Sequence, residues 1–188
     1  MALVAIASVI AGVKAGKVIS FPTDTVPALA VIPEQSELIY TLKQRLPDKP
    51  LILMGATLEE LWEFVDTKNP AFPQWQKLAH TKLPGALTLV LPQNPDYPPL
   101  NTGFTSIGIR IPDHEIAIAI LRQTAPLLTT SANLSGESAL LDMKKISAQF
   151  PQVLVLDDPN EIMTGQPSTV AEWTENGWEV KRQGTVKI

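Results

Sequence analysis

The 188-residue sequence contains no cysteine. The protein therefore has no disulfide bonds, no thiolate zinc site and no thiol nucleophile. The signatures GxxxxGK[ST], GxGxxG and GxSxG are also absent. Their absence removes the P-loop, the common dinucleotide-binding site and the usual hydrolase from consideration.

Histidine is nearly absent, with His80 and His114 as the two examples. His114 follows Pro112-Asp113, and we expect it to cap the start of a helix rather than to act as a base. We expect His80 at a helix end, where a cation suits the helix dipole. A histidine-rich metal site is therefore not predicted.

Charged residues are scarce, at 18% of the chain, and fifteen Lys plus Arg oppose nineteen Asp plus Glu for a net charge of −4. A protein that coats a nucleic acid needs surplus Lys and Arg to neutralise phosphates. The composition therefore excludes a generally basic surface but leaves room for local basic clusters. It also excludes a disordered chain, because 45% of the residues are hydrophobic.

The sequence has no apolar run near the roughly 20 residues that span a bilayer. Residues 1–13 are mostly apolar, but they begin without the Lys or Arg of a signal peptide. The apolar residues from Leu3 to Val13 follow helical spacing, and Gly16 provides a stop. We therefore expect a first helix there, and a soluble, cytoplasmic protein.

Proline is abundant, with seventeen in the chain. The proline-rich stretch Pro92–Pro99 predicts a stiff connection, with a lid or a partner-binding segment as the alternative.

Segments typical of strands and of helices alternate along the whole chain, which predicts an α/β (or α+β) fold around a mixed sheet. At about 150 residues per domain, the length predicts a single domain over residues 1–188. The strands are predicted at 17–21, 51–54, 87–91, 106–111, 127–130, 153–156, 169–173 and 178–181, the last two as a hairpin with Asn176-Gly177 at its turn. The later helices are predicted at 37–45, 57–65, 70–79, 115–122 and 143–150.

Polar residues concentrate at the ends of the predicted strands. Arg110 ends an otherwise apolar strand. In open α/β sheets ligands bind at such ends, so these residues predict one shared crevice. The other segments with this property are Pro22-Thr-Asp-Thr25, Lys43-Gln-Arg45, Ser131-Ala-Asn133 and Pro167-Ser-Thr169.

Lys43 and Arg45 are two residues apart, just before Pro47. If the helix unwinds before Pro47, both cations lie on one side of an extended segment and bind a phosphate or a carboxylate. The alternative is a solvated helix end that the dipole favours.

Ser131 and Asn133 have the same spacing after an apolar run. In an extended segment they offer a hydroxyl and an amide to phosphate oxygens or to a ribose, but they could equally cap a turn. Thr23, Asp24 and Thr25 likewise either bind a ligand or cap the turn after Pro22.

Taken together, these segments resemble the YrdC/Sua5 family of threonylcarbamoyl-AMP synthases, which act in tRNA modification. The family's KxR…SxN signature is complete, and the matching stretches occur in the family's order across nearly the whole chain. Because the chain stops after the Arg-x-Gly element, it resembles the single-domain form. The stretches are Phe21-Pro-Thr-Asp-Thr-Val26, Lys43-Gln-Arg45 with Lys49-Pro-Leu51, Leu83-Pro-Gly85 with Thr88, Ile109-Arg-Ile-Pro112, Thr130-Ser-Ala-Asn-Leu-Ser-Gly136, Pro167-Ser-Thr-Val170 and Arg182-Gln-Gly184.

The resemblance implies a twisted open sheet with a concave, positively lined cleft. It implies that L-threonine, bicarbonate and ATP, with Mg²⁺ on its phosphates and no protein-bound metal site, give threonylcarbamoyl-adenylate and diphosphate, which partner proteins then use to modify tRNA. It implies catalytic roles for Lys43, Arg45, Ser131 and Asn133. It also implies ATP contacts from these four with Ser106 and Arg182, and threonine contacts from Thr23, Arg110, Thr129 and Ser168.

The sequence departs from the family pattern at two places. Pro27-Ala-Leu-Ala30 stands where members commonly continue with Tyr-Gly-Leu-Gly, and Met54 stands where many carry a histidine. These changes predict altered threonine binding or a paralogue with another substrate. The alternatives to an enzyme are a module that binds double-stranded RNA or tRNA, and a non-catalytic paralogue associated with the ribosome or translation.

Overall fold

The architecture is an alternation of short strands and helices. The computed structural model describes residues 3–46, 48–158 and 163–188. The strands are β1 (Ile19–Phe21), β2 (Ala28–Val31), β3 (Ile52–Met54), β4 (Leu87–Pro92), β5 (Ser106–Arg110), β6 (Leu127–Ser131), β7 (Leu154–Val155), β8 (Thr169–Thr174) and β9 (Gly177–Arg182). The helices are α1 (Ile6–Lys14), α2 (Glu37–Lys43), α3 (Leu58–Trp62), α4 (Phe72–Lys82), α5 (Glu115–Thr124) and α6 (Met143–Gln149).

All of these strands join one mixed sheet in the order β7-β1-β2-β6-β3-β5-β4-β8-β9. The pairs β1/β7, β3/β5 and β4/β8 are parallel, and the other neighbours are antiparallel. The predicted α/β fold, with helices flanking a mixed sheet, is confirmed.

The two faces of the sheet have different surroundings because side chains alternate along each strand. A row of register partners crosses five strands, and every member is fully buried: Leu128, Leu53, Ile109, Leu89 and Ala171. The next row lies on the opposite face and includes Thr129, Ile52, Gly108 and Val90. One face therefore carries the apolar core, and the other is available for a site.

Local sequence explains several helix ends. Thr57 Oγ1 accepts the Glu60 N–H at 3.3 Å at the start of α3, as a capping box requires. His114 Nδ1 accepts the Ala117 N–H at 3.4 Å, so its predicted capping role is confirmed. Helix α2 ends at Lys43 because Gln44 adopts a left-handed conformation with φ of 51°. Pro47, to which we attributed this end, lies outside the described residues.

Some predicted boundaries were wrong. Strand β2 was not predicted, because residues 28–31 are short, fully buried and without polar alternation. Helix α3 ends at Trp62 rather than at Val65, which instead pairs with Gln93 in an isolated bridge. Helix α4 is shifted to 72–82, and the hairpin turn comes at residues 175–176.

No helix among the described residues is long and apolar enough to cross a membrane.

The covered face of the sheet should dominate stability. Leu53 is fully buried at the centre of the sheet, so Leu53→Ala should lower the free energy of unfolding by about 2–5 kcal/mol through lost burial and a cavity. Leu38→Ala is the matched control, since Leu38 on α2 is 41% exposed. Urea unfolding followed by tryptophan fluorescence measures both, and equal losses would contradict the assignment of this face to the core.

Candidate functional site

A cavity of about 610 Å³ opens on the uncovered face of the sheet. Its volume lies in the range typical of small-molecule sites. Alternate residues of six strands form its floor: Ala28 of β2, Thr129 and Ser131 of β6, Ile52 and Met54 of β3, Ser106, Gly108 and Arg110 of β5, Thr88 and Val90 of β4, and Val170 of β8.

The walls come from segments at the strand ends. The predicted crevice is present, because each of the four polar segments contributes to this one cavity. The contributing residues are Thr23 and Thr25, Arg45, Ser131 with Asn133, and Pro167 with Ser168, and Arg182 at the end of β9 joins them.

Arg110 is the buried cation of the site. Its Nη2 donates to Asp24 Oδ1 at 2.6 Å, and the two side chains are only 6% and 15% exposed. Its Nε donates to the Gly85 carbonyl at 3.2 Å. Burial lowers the pKa of Arg110, and the Asp24 carboxylate acts in the opposite direction. Arginine nevertheless stays charged, so Arg110 remains a buried cation.

A directed chain of hydrogen bonds connects Arg110 to the turn after β1. Arg110 Nη1 can only donate, so Thr25 Oγ1 accepts from it at 2.9 Å. Thr23 Oγ1 donates to the Val26 carbonyl at 2.8 Å, which leaves Thr25 as the donor of the 3.0 Å bond between the two threonines. Thr23 and Thr25 therefore shape the turn and also line the cavity.

Arg45 is held by backbone carbonyls of its own loop. Its Nε and Nη2 donate to Lys49 O and Pro50 O at 3.0 and 3.1 Å. In the described part of the chain Nη1 has no hydrogen-bond partner, so donors remain for a ligand in the cavity that Arg45 lines.

Arg182 is attached to the segment before β8. Its Nε donates to Ser168 O at 3.1 Å and its Nη2 to Ser168 Oγ at 3.3 Å, while Ser168 Oγ shares a 2.9 Å bond with Thr88 Oγ1. A Cβ at Gly184 would lie 2.4 Å from Pro167 O. Glycine is therefore required in the Arg-x-Gly element, where two backbone segments cross.

Ser131 and Asn133 are bonded to each other. Ser131 Oγ donates to Asn133 Oδ1 at 2.5 Å, and Asn133 Nδ2 donates to Leu134 O and Glu137 O at 2.7 and 2.8 Å. Of the two roles that the sequence left open, the turn cap is present, and a ligand contact stays a prediction for two residues that also line the cavity.

Lys43 and Arg45 have different hydrogen-bond partners. The side chain of Lys43 is only 1% exposed, so the alternative of a solvated helix end is wrong. Nζ donates to Ser131 O at 2.5 Å and Asn133 O at 2.6 Å, and Lys43 itself does not line the cavity. The left-handed turn at Gln44 separates the two cations. Burial, followed by the Arg45 charge, lowers the pKa of Lys43 to about 7.

Sequence reasoning missed Asn101, which follows the proline-rich connection. Its Oδ1 accepts the Leu51 N–H at 2.7 Å, its Nδ2 donates to Leu51 O at 3.0 Å, and Tyr40 donates to Oδ1 at 3.3 Å. Asn101 thereby fixes the start of β3 beside the loop that holds Arg45. Its position in a polar connection carries no signal of this role.

The described lining of the cavity includes Arg45, Arg110 and Arg182 as cations and Glu137 as an anion, and it contains no histidine. Asp24 balances Arg110, which leaves Arg45 and Arg182 as the cations available to an anionic ligand. Donors and hydroxyls without a nucleophile suit binding and charge stabilisation rather than covalent catalysis.

A mixed sheet whose uncovered face is the floor of an arginine-lined cavity defines an α/β protein with a cavity suited to a polar, anionic small molecule. A model of the Sua5/YciO/YrdC family, described as telomere recombination, matches residues 12–184. The chain belongs to this family.

Similar proteins agree with this assignment. Threonylcarbamoyl-AMP synthase of Bacillus subtilis is 37% identical over 138 residues, which are 70% of this chain and 39% of that protein. Threonylcarbamoyl-AMP synthase of Photobacterium profundum is 37% identical over 133 residues, 68% of this chain and 71% of that one. The crystal structure of P. abyssi Sua5 complexed with L-threonine has a TM-score of 0.86 at 30% identity and covers 95% of this chain and 54% of that one. This chain thus spans less than two thirds of the B. subtilis and P. abyssi proteins.

The Asp24–Arg110 ion pair should be essential for stability. Asp24→Ala leaves a buried guanidinium unpaired and should lower the free energy of unfolding by about 3–5 kcal/mol. Asp96→Ala is the control, because Asp96 pairs with Lys68 at the surface, where the two side chains are 70% and 82% exposed. Chemical denaturation compares the two variants. If Asp24→Ala lost as little free energy of unfolding as Asp96→Ala, the buried pair would contribute no more to stability than a surface pair.

Proposed function

We propose that this protein is a threonylcarbamoyl-AMP synthase. L-threonine, bicarbonate and ATP would give threonylcarbamoyl-AMP, diphosphate and water, for the formation of threonylcarbamoyladenosine in tRNA. The observation that carries the proposal is the cavity itself, where three arginines and several hydroxyls from distant segments meet without a protein nucleophile. Similar proteins that carry this name support it.

The reaction requires the protein to position its substrates rather than to supply a reacting group of its own. The threonine amine attacks the carbonate-derived carbon, water leaves, and an oxygen of the resulting carbamate attacks the α-phosphate while diphosphate departs. The substrates supply both nucleophiles. The protein has to align three molecules and to stabilise negative charge on the phosphates, which arginines in a partly closed cavity do well.

We assign ATP to the side of the cavity that contains Arg45, Ser106, Ser131, Asn133 and Arg182. The free donors of Arg45 and Arg182 suit phosphate oxygens. Ser131 Oγ already donates to Asn133 Oδ1, so Ser131 can only accept from a ligand, whereas both ends of the Asn133 amide are already engaged within the protein. An accepting hydroxyl suits a hydroxyl of a ribose, which supports a ribose contact rather than a phosphate contact at Ser131.

We assign threonine to Thr23, Arg110, Thr129 and Ser168. Arg110 has five N–H donors, of which the described residues use three, so one on each Nη can take the threonine carboxylate. Thr129 donates to a backbone carbonyl and presents an accepting oxygen, which suits a substrate amine or hydroxyl. The hydroxyl of Thr23 is already engaged with Val26 O and with Thr25, so Thr23 would contribute mainly to the shape of the subsite. Pro27, Ala28 and Met54 also line the cavity, so the amino-acid subsite has an apolar part.

ATP would enter with Mg²⁺ on its phosphates. No three metal-ligating side chains meet among the described residues, and Mg²⁺ is commonly held by substrate phosphates and few carboxylates. The residues present therefore fit an ion that arrives with the nucleotide, where it would neutralise phosphate charge.

The remaining parts of the proposal concern the surroundings of the enzyme. We propose that residues 1–188 act as one domain, that the protein works in the cytoplasm, and that transfer proteins receive its product. Contact with RNA stays a prediction, as does a net positive lining of the cleft.

The reaction itself is the first test. With ATP, bicarbonate and L-threonine, diphosphate release should depend on all three, and mass spectrometry should detect threonylcarbamoyl-adenylate. Parallel reactions with serine, valine and isoleucine show whether the apolar part of the subsite selects another amino acid. Diphosphate release that does not depend on an amino acid would contradict the proposal. A complete absence of diphosphate release would contradict it as well.

Arg45 should be essential for the rate. Arg45→Ala should lower kcat/KM by about 10²–10³-fold, because a charge-assisted contact to developing phosphate charge is lost. Arg45→Lys should recover only part of this, since an ammonium cannot reproduce the planar donor geometry. Arg122→Ala, at an exposed position on α5, is the control and should leave kcat/KM unchanged. Wild-type activity in Arg45→Ala would remove Arg45 from the site.

A further inference from the structure

We propose that Lys43 is a positioning residue, which holds Ser131 and Asn133 from behind the cavity wall and so prepares the ribose subsite without touching ATP. The inference deepens the proposed function, on which it rests for the identity of the ligand.

The ammonium of Lys43 has no donor left for a substrate. Nζ donates to Ser131 O, Asn133 O and Asn133 Oδ1 at 2.5, 2.6 and 3.4 Å. A lysine ammonium has three N–H bonds, and these three oxygens account for all of them. Lys43 is buried and is not part of the cavity lining. Direct contact with phosphates would require the side chain to leave this position.

The contact with Oδ1 fixes the orientation of the Asn133 amide. Because a protonated Lys43 can only donate, the amide atom that faces it is oxygen rather than nitrogen. The same Oδ1 takes the hydroxyl proton of Ser131, and the opposite Nδ2 donates to Leu134 O and Glu137 O, which fix the same orientation from the other side. Lys43 therefore helps to hold the orientation in which Ser131 presents an accepting oxygen to the cavity.

Backbone hydrogen bonds connect Lys43 and the Ser131–Asn133 turn to neighbouring segments. Lys43 O accepts the Ser135 N–H at 3.1 Å, so one residue holds both sides of the turn after β6. Ala132 N donates to Pro27 O at 3.0 Å and thus ties this turn to the wall near β2. Removing the ammonium should loosen the Ser131–Asn133 turn and its hydroxyl orientation, while Arg45 and Arg182 keep their own anchors.

This arrangement separates recognition of the ribose from recognition of the phosphates. Tripolyphosphate carries the phosphate charge without a nucleoside, and 2′-deoxy-ATP and 3′-deoxy-ATP each lack one ribose hydroxyl. Comparison of the affinities of these ligands with that of ATP shows which part of the nucleotide depends on Lys43.

The test is calorimetry on Lys43→Met, which keeps a side chain of similar length without donors. ATP affinity should fall about tenfold, the effect of about one lost hydrogen bond, while tripolyphosphate affinity stays within about twofold. In the wild type, at least one of the two deoxy-ATP ligands should bind more weakly than ATP. For Lys43→Met, the affinity for that ligand should equal the affinity for ATP. Lys14→Met, at the exposed last residue of α1, is the matched control.

A second measurement keeps the result independent of folding defects. Ser131→Ala should remove most of the effect of Lys43→Met, so that the double variant binds ATP no more than about twofold more weakly than Ser131→Ala alone. The proposal would be overturned if the losses of ATP affinity in Lys43→Met and Ser131→Ala were fully additive. It would also be overturned if folded Lys43→Met lost as much affinity for tripolyphosphate as for ATP, or if its ATP affinity were unchanged. Failure of the proposed function would be seen separately, as wild-type protein that binds ATP but releases no diphosphate with threonine and bicarbonate.

Discussion

A buried guanidinium is the constraint on which the site depends. Arg110 ends β5 on the uncovered face of the sheet, and a charge placed there must be matched within the protein or lose much of its solvation energy. Asp24, Thr25 and Gly85 provide the match from two segments that are far from Arg110 in sequence. Their contacts with one side chain bring the turn after β1 and the Leu-Pro-Gly turn to the same end of the cavity.

The register of the sheet is the second constraint on which the site depends. It places apolar residues on the covered face, and Thr129, Ser131, Ser106 and Arg110 on the face of the cavity. A polar floor within a buried sheet is stable because its hydroxyls are already bonded, as Thr129 is to the Ile52 carbonyl at 3.0 Å. The ligand therefore meets groups whose donor and acceptor roles are already set, which lowers the cost of ordering them on binding.

Much of this arrangement follows from local sequence. An arginine at the end of an apolar strand and polar residues after strands predicted the crevice, and short apolar, β-rich segments predicted most strands. The roles of Lys43 and Asn101 were not predictable, because their partners are 88 to 90 and about 50 residues away. The spacing of Lys43 and Arg45 indicated a shared ligand, whereas one left-handed residue directs the two cations to different surroundings. Strand β2 was missed for a related reason, since only its pairing with β1 and β6 distinguishes four apolar residues from a loop.

The central claim is that the cavity joins a carbonate-derived carbon to threonine before the nucleotide reacts. A direct attack of the threonine carboxylate on ATP would also release diphosphate, so diphosphate alone does not separate the two reactions. The measurement that does is mass spectrometry of the adenylate formed from ¹³C-bicarbonate. The account predicts one ¹³C atom in the carbamoyl group of a threonylcarbamoyl-adenylate. An unlabelled threonyl-adenylate would contradict it.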